Sequence, residues 1–311
     1  MIKWIGTENF RIEEKTAVTI GKFDGIHSGH QKLLDQVLSC RAKGYRTAVF
    51  TFEKSLSEFF TGKGSVLTTN QEKEEYLAEI GIDILVEFPV NDQTVSIEPE
   101  EFIRRILKAQ MNAGIVIAGY DCSYGYRGRG DFSLLERMGN ELSYQTVLVE
   151  KELYEGREIS STYVRSEVEK GNMELVEQLL KRPYSIYGRV AHGRKLGRQL
   201  SMPTLNLLPD KNKLLPPFGV YMSHVKVGTQ EYDGITNIGC KPTVTDQKIP
   251  VVETYLYDFD DDLYGENIEV SLLHYERPEK KFASVFELKE HLKKDLDAGE
   301  KYRRVRGRKY K

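Results

Sequence analysis

Gly21-Lys22-Phe23-Asp24-Gly25-Ile26-His27-Ser28-Gly29-His30 is the stretch on which the reading of this chain turns. It follows Ala17-Val18-Thr19-Ile20, an apolar run of the buried-strand type. It precedes a segment in which Leu33, Leu34, Val37 and Leu38 recur at helical spacing. Two imidazoles three residues apart therefore fall at a strand-to-helix turn, with Gly25 and Gly29 permitting close backbone approach. A helix N-terminus presents unpaired N–H groups and a partial positive charge, which suits a phosphate. Two histidines aimed at one point stabilise charge growing on a phosphoryl oxygen. A metal centre is the weaker reading, because no third and fourth ligands stand nearby at zinc-like spacing. A purely structural glycine loop gives the histidines no task. The turn reads as a nucleotide-handling element.

Around it, residues 17 to about 150 alternate β-rich runs (17–21, 47–52, 82–88, 115–119, 146–149) with helical patterns (30–42, 70–80, 98–111, 132–142). That alternation predicts a parallel sheet with helices on both faces, whose phosphate sites lie beyond the strands' carboxyl ends. The character changes near Lys181-Arg182-Pro183. Strand patterns then dominate at 184–190, 219–227, 231–238, 252–259 and 268–275, as in a small antiparallel barrel. A last amphipathic helix over 284–296 opens at Ser284 with Glu287 three residues on, a capping-box pattern.

The 311 residues suit about two domains, and 40% apolar with 30% charged residues is an ordinary globular composition. No apolar run approaches the roughly 18 residues that span a bilayer, and the N-terminus lacks a secretion-signal core. Cys40, Cys122 and Cys240 are odd in number and far apart, which argues against a disulfide framework and for a cytoplasmic setting. A formal charge of −2 gives no general case for nucleic-acid binding. The tail 301–311 is the local exception, with seven basic residues of eleven and interleaved tyrosines. A solvated extension is the favoured reading; a phosphate-tracking arm in an RNA-binding regulator is the other.

Further chemistry is carried by three groups of residues. Asp121, at the end of the run 115–119, is placed to meet a ribose hydroxyl or a phosphate-bound cation, and Gly125, Gly128 and Gly130 suggest a loop lying close to ligand. Ser160, Ser161 and Thr162, with Arg165 one turn on, either grip a leaving pyrophosphate or merely cap a helix. In the second half Thr204 and Asn206 are two apart in a strand and face one side, offering hard oxygen ligands to Mg²⁺ on nucleotide phosphates. Gly193, Lys195 and Gly197 form a basic loop able to close over those phosphates. Glu253, on a separate strand, is the candidate base for an attacking hydroxyl. No P-loop motif is present.

The histidine string resembles the Gly-x-Phe-Asp-Gly-x-His-x-Gly-His form of the signature of adenylyl- and cytidylyltransferases. Ile159-Ser160-Ser161-Thr162-Tyr163-Val164-Arg165 resembles Ile-Ser-Ser-Thr-x-x-Arg, and residues 184 to about 296 are similar to flavokinases. Over nearly its whole length the chain resembles the bacterial bifunctional riboflavin kinase/FMN adenylyltransferases (FAD synthetases). The resemblance implies an α/β nucleotidyltransferase domain on a Rossmann-like parallel sheet (1–182), an antiparallel β-barrel flavokinase domain with a C-terminal helix (183–300), and the basic tail (301–311). It implies riboflavin phosphorylation in the barrel, then FMN adenylylation in the first domain. ATP would be the co-substrate, Mg²⁺ the cofactor, and FMN and FAD the product ligands; no nucleic-acid, membrane or obligate protein partner is implied. Gly21, Phe23 and Asp24 join His27 and His30 in the first ATP site. Thr204 and Asn206 hold magnesium and ATP in the second, where Glu253 activates the ribityl 5′-hydroxyl. The chain departs from the relatives at Glu53-Lys54-Ser55, where they continue with a Pro-His pair, and at Cys122, where they carry an aromatic. Leu205 and Ser201-Met202 are lesser departures that remove no expected ligand. The first two motivate an alternative, a monofunctional riboflavin kinase with a degenerate adenylyltransferase domain.

Overall fold

The computed structural model describes residues 1–62, 64–191, 203–242 and 248–309. By contact the chain divides into two compact units, Met1–Ser161 and Thr162–Lys311.

The first unit is a six-stranded parallel sheet. Its strands are β1 (Ile2–Ile5), β2 (Thr16–Ile20), β3 (Arg46–Phe52), β4 (Ile84–Phe88), β5 (Ala113–Gly119) and β6 (Gln145–Val149), in the order β1-β4-β3-β2-β5-β6. The five expected strands are all present. β1 was not expected, because Ile2-Lys3-Trp4-Ile5 is short and mostly exposed. Both sheet faces are covered, which explains near-continuous apolar strands. Helices α1 (Ser28–Ser39) and α3 (Asn70–Glu79) bury Leu34, Val37 and Leu77 with Val49 and Ile117. On the other face Phe50, Val116 and Ala118 pack with α4 and α5. Helix α4 starts as Pro99–Glu101 and continues through π-helical Phe102–Gln110, and α5 is Phe132–Leu142. A one-and-a-half-turn helix α2 (Leu56–Thr61) and a hairpin of β7 (Leu153–Tyr154) with β8 (Arg157–Glu158) complete the unit. Strand order reverses about β2, with β3 on one side and β5 on the other. A ligand crevice forms where the loops after such strands part.

The second unit begins earlier than the composition break at 182. Helices α6 (Ser161–Lys170) and α7 (Met173–Leu180) group with the barrel because α7 lies on β9 and β14. Strands β9 (Tyr184–Ala191), β10 (Thr204–Leu207), β11 (Gly219–Val227), β12 (Gln230–Pro242), β13 (Lys248–Leu256) and β14 (Asn267–Pro278) close in the order β10-β13-β12-β11-β14-β9. All their pairings are antiparallel. Closure removes the free sheet edges. The buried Thr236 hydroxyl lies 2.8 Å from that of Ser223 and 2.9 Å from that of Thr254, so these polar groups satisfy one another.

The last helix, α8 (Val285–Lys309), runs well past the expected end at 296 and absorbs most of the basic tail. Its packing explains the length. Leu296, Ala298 and Tyr302 lie on a barrel patch containing Met222, Ile235 and Leu273, and the Tyr257 hydroxyl donates to the Leu296 carbonyl at 2.8 Å. Arg277 forms a two-pronged pair with Asp295 at 2.8 and 2.6 Å. Arg303 reaches Asp258 at 2.8 Å and Asp233 at 3.1 Å while lying over the Tyr257 ring. The expectation of a solvated extension therefore holds for exposed Lys301, Arg304 and Val305 and is corrected for Tyr302, Arg303 and Arg306. Their charge disguised a docking face.

Candidate active sites

The first site grows from the turn after β2. His27 is the N-cap of α1, and its ring stacks on that of His30 with centroids 3.8 Å apart and planes 24° from parallel. Gly29 leaves room for this stack, since a Cβ there would lie 3.2 Å from two atoms of the His27 ring and crowd it. The loop in front is strained: Phe23 and Ile26 have φ of 50° and 43°. Left-handed conformations of such residues cost about 1–3 kcal/mol each. Both side chains are wholly buried, which returns roughly 1.5–3 kcal/mol apiece. Core burial thus holds the strained turn in place.

The expected phosphate set divides in this structure. The Phe23 ring lies inside the core, 5.1 Å from the His30 ring, so only its backbone is available to a ligand. Gly21 gives its N–H to Phe50 and leaves room for the Phe23 ring, 3.1 Å from where its Cβ would stand. Asp24 accepts the Leu67 and Thr68 N–H groups at 2.6 and 3.2 Å, tying the loop to the approach to α3. The Ser161 hydroxyl donates to the Asp24 carbonyl at 2.8 Å, which fixes the end of the Ser160-Ser161 segment on the histidine turn. Thr162 and Arg165 stand on the first two turns of α6, exposed and half-buried. Asp121 is exposed just beyond β5, the neighbour of β2, with one carboxylate oxygen 3.2 Å from the Cβ position of Gly119. Gly125 and Gly130 answer to protein rather than ligand: a side chain on either would collide with Pro99 or with the Tyr124 ring.

The two departures in this unit have structural accounts. Cys122 is half-buried against the core, and burial with the nearby Asp121 carboxylate pushes its thiol up to about 11, so it is an inert filler. Ser55 caps α2, accepting the Glu58 N–H at 3.0 Å. Sequence reading missed a buried support beneath the loop. Thr51 Oγ1 donates to the Lys22 carbonyl at 3.2 Å, and the 4%-exposed Lys73 amine lies 3.5 Å from the same hydroxyl. A lysine on an amphipathic helix carries no signal of such burial.

The second site lies on the barrel wall. In the ladder of β10 with β13, Thr204 opposes Tyr255 and Asn206 opposes Glu253. Directly opposed residues share a face, with Cβ atoms about 4.5–5.5 Å apart. The register therefore brings Thr204, Asn206 and Glu253 to one patch, as expected. Asn206 is buried and Thr204 and Glu253 half-buried. A cleft of about 530 Å³ adjoins Thr204, walled by the loop 259–264; this is within the usual volume range of ligand sites. Gly193, Lys195 and Gly197 lie outside the described residues. On the other flank of Glu253 stands Asn237 of β12, opposite it in register. Sequence reading gave Asn237 no role, because only the ladder shows that it flanks the carboxylate.

Comparison with known proteins agrees with this division. The FAD synthetase family model matches residues 9–163 and the riboflavin kinase model residues 180–303. A bifunctional riboflavin kinase/FMN adenylyltransferase of Buchnera aphidicola from Schizaphis graminum is 38% identical over 94% of this chain and 95% of its own. Proteins of that description from Escherichia coli K12 and Bacillus subtilis are 35% and 32% identical, over 91% and 93% of both chains. The crystal structure of a macrolide-efflux protein from Streptococcus pneumoniae superposes with a TM-score of 0.83 at 28% identity, covering 96% of this chain and 98% of that one. Among the described residues no helix is long and apolar enough to cross a membrane. Nothing in the first unit marks it as degenerate, which removes the ground for a kinase-only reading. By the extent and identity of these matches, the chain belongs to the bifunctional riboflavin kinase/FMN adenylyltransferase family.

Proposed function

We propose that the barrel unit phosphorylates riboflavin to FMN and that the α/β unit adenylylates FMN to FAD, each with ATP. The observation that carries the kinase reading is the ladder register that sets Glu253 across from Asn206. The ribityl 5′-oxygen attacks the γ-phosphorus, the bond from that phosphorus to the β-bridging oxygen breaks, and ADP leaves. Glu253 takes the hydroxyl proton. Thr204 and Asn206 present hydroxyl and amide oxygens on one face, donors that suit Mg²⁺. Bound there with the nucleotide, the ion would offset the charge of the ATP phosphates. Gly193, Lys195 and Gly197 are assigned to the same phosphates from sequence.

In the α/β unit an FMN phosphate oxygen attacks the α-phosphorus of ATP and pyrophosphate leaves. No covalent intermediate is needed, so positioning and charge stabilisation supply the rate. His27 and His30 face the charge developing on the transferred group, and the N-terminal turn of α1 adds its N–H groups. Ser160, Ser161, Thr162 and Arg165 hold the departing pyrophosphate, with Asp121 toward the ribose.

The test is chromatography of products after mixing the purified chain with riboflavin, ATP and Mg²⁺. FMN appears first and FAD follows. FMN without FAD, also when FMN itself is supplied, removes the adenylyl half of the proposal; absence of both products removes all of it.

A further inference from the structure

The barrel face that carries Glu253 also holds a hollow for which the transfer step has no use. Asn237 opposes Glu253 and Gly239 opposes Val251, so Asn237 and Gly239 share the face of Glu253. Gly239 is not among the residues with left-handed φ, so its backbone does not demand glycine. A Cβ on Gly239 would lie 2.5 Å from Glu279 Oε1 and 3.4 Å from Asn237 Nδ2. Without one, a carboxylate oxygen and an amide donor stand together over a shallow hollow at the bare Cα of Gly239.

Glu279 reaches the hollow from just beyond β14, where its own N–H donates to the Phe218 carbonyl at 3.2 Å. Its neighbour Lys280 pairs elsewhere, with Glu287 at 3.1 Å. Among the described residues, neither the Glu279 carboxylate nor the Asn237 side chain has a hydrogen-bond or ion-pair partner. An ionised carboxylate only accepts, and an amide nitrogen only donates. A hydroxyl satisfies both at once, giving its proton to one and a lone pair to the other. Diagonal neighbours on a sheet lie roughly 7–8 Å apart, a reach that a five-carbon polyol spans with its terminal hydroxyl at Glu253.

We propose that the hollow over Gly239 binds an inner hydroxyl of the substrate's ribityl chain, with Glu279 accepting its proton and Asn237 donating to its oxygen. The site thereby selects a polyol over a plain alkyl chain. The inference rests on Glu253 as the base that meets the terminal hydroxyl.

The experiment compares riboflavin with its 10-(5-hydroxypentyl) analogue, which keeps the terminal hydroxyl and lacks the inner ones, on the full-length chain. Wild type favours riboflavin in kcat/KM by about tenfold or more, the worth of one or two hydrogen bonds. Asn237→Ala and Glu279→Gln each lower kcat/KM for riboflavin by roughly tenfold, mainly through KM, and leave the analogue within about twofold. Gly239→Ala, which fills the hollow and displaces Glu279, behaves alike. Glu279 is exposed, so its variant carries no folding burden, and retained turnover of the analogue reports an intact barrel. Equal loss on both substrates, no loss on either, or a wild type without preference overturns the hydroxyl site. A wild type that phosphorylates neither compound overturns the kinase reading beneath it.

Discussion

If the proposed roles hold, Glu253 and the histidine stack separate the two chemistries at single side chains. Glu253→Gln keeps the shape of the side chain and removes the proton acceptor. FMN formation is expected to fall by about 10²–10⁴, the range for a general base, with FAD formation from FMN unchanged. Full kinase activity in that variant takes Glu253 out of the mechanism. Gly29→Ala tests the stack more subtly. Alanine is the better helix former by up to about 1 kcal/mol, so the thermal midpoint is not expected to drop. Its Cβ, 3.2 Å from the His27 ring, pushes the imidazole aside. The shift needed is about a few tenths of an ångström; since a misplacement of about 1 Å can cost about 10²-fold, FAD formation should show a measurable loss smaller than that. Unaltered FAD formation means that the stack is not the working arrangement. The placement of His27 and His30 at a strand-to-helix turn, and of Thr204, Asn206 and Glu253 on strands, was legible because these residues sit in short motifs with clear local periodicity. The positions of Asn237 and Glu279 beside Glu253 and Gly239 were not, because a cross-strand register and a missing Cβ set them, and neither is local in sequence.

Elements with strong periodic signals emerged where they were expected, and β11 and α5 did so to the residue. The misses share one cause, tertiary packing that overrides a weak local pattern. β1 exists because it pairs with β4, and α8 extends through a basic stretch because Tyr302 and Arg303 meet the barrel. The buried pair near the end of β4 belongs to this scale too. Glu87 on β4 is 1% exposed and lies opposite Thr51 in register, near Lys73 of α3. Burial pushes the Glu87 carboxyl up to about 7 and the Lys73 amine down, and each charge moderates the shift of the other. A carboxyl with a raised folded pKa binds its proton more tightly in the folded chain. Its contribution to stability is therefore full below its ordinary value of 4.5 and is lost as pH rises to about 7. Glu87→Gln abolishes that titration, so denaturant unfolding across this interval should show a smaller decline with pH than wild type. Identical profiles would mean that Glu87 does not titrate there.

On the scale of the whole molecule, the chain pairs two units of different architecture, one matched by the FAD synthetase model and one by the riboflavin kinase model, and on the proposed reading FMN is the product of one and the substrate of the other. If the sites are independent, the two activities separate into different molecules. His30→Ala leaves a chain that stops at FMN, and Glu253→Gln leaves one that needs FMN supplied. Neither variant alone converts riboflavin to FAD at an appreciable rate. An equimolar mixture is expected to restore FAD formation, with a lag while free FMN accumulates to the level the adenylylating site requires. Raising the concentration of the Glu253→Gln chain should shorten that lag, since FMN must reach a second molecule through solution. A mixture that accumulates FMN without FAD, while the Glu253→Gln chain still adenylylates added FMN at the same concentration, would overturn this independence. A mixture that makes no FMN would instead return the question to the ladder of β10 with β13, because the His30→Ala chain leaves that register untouched.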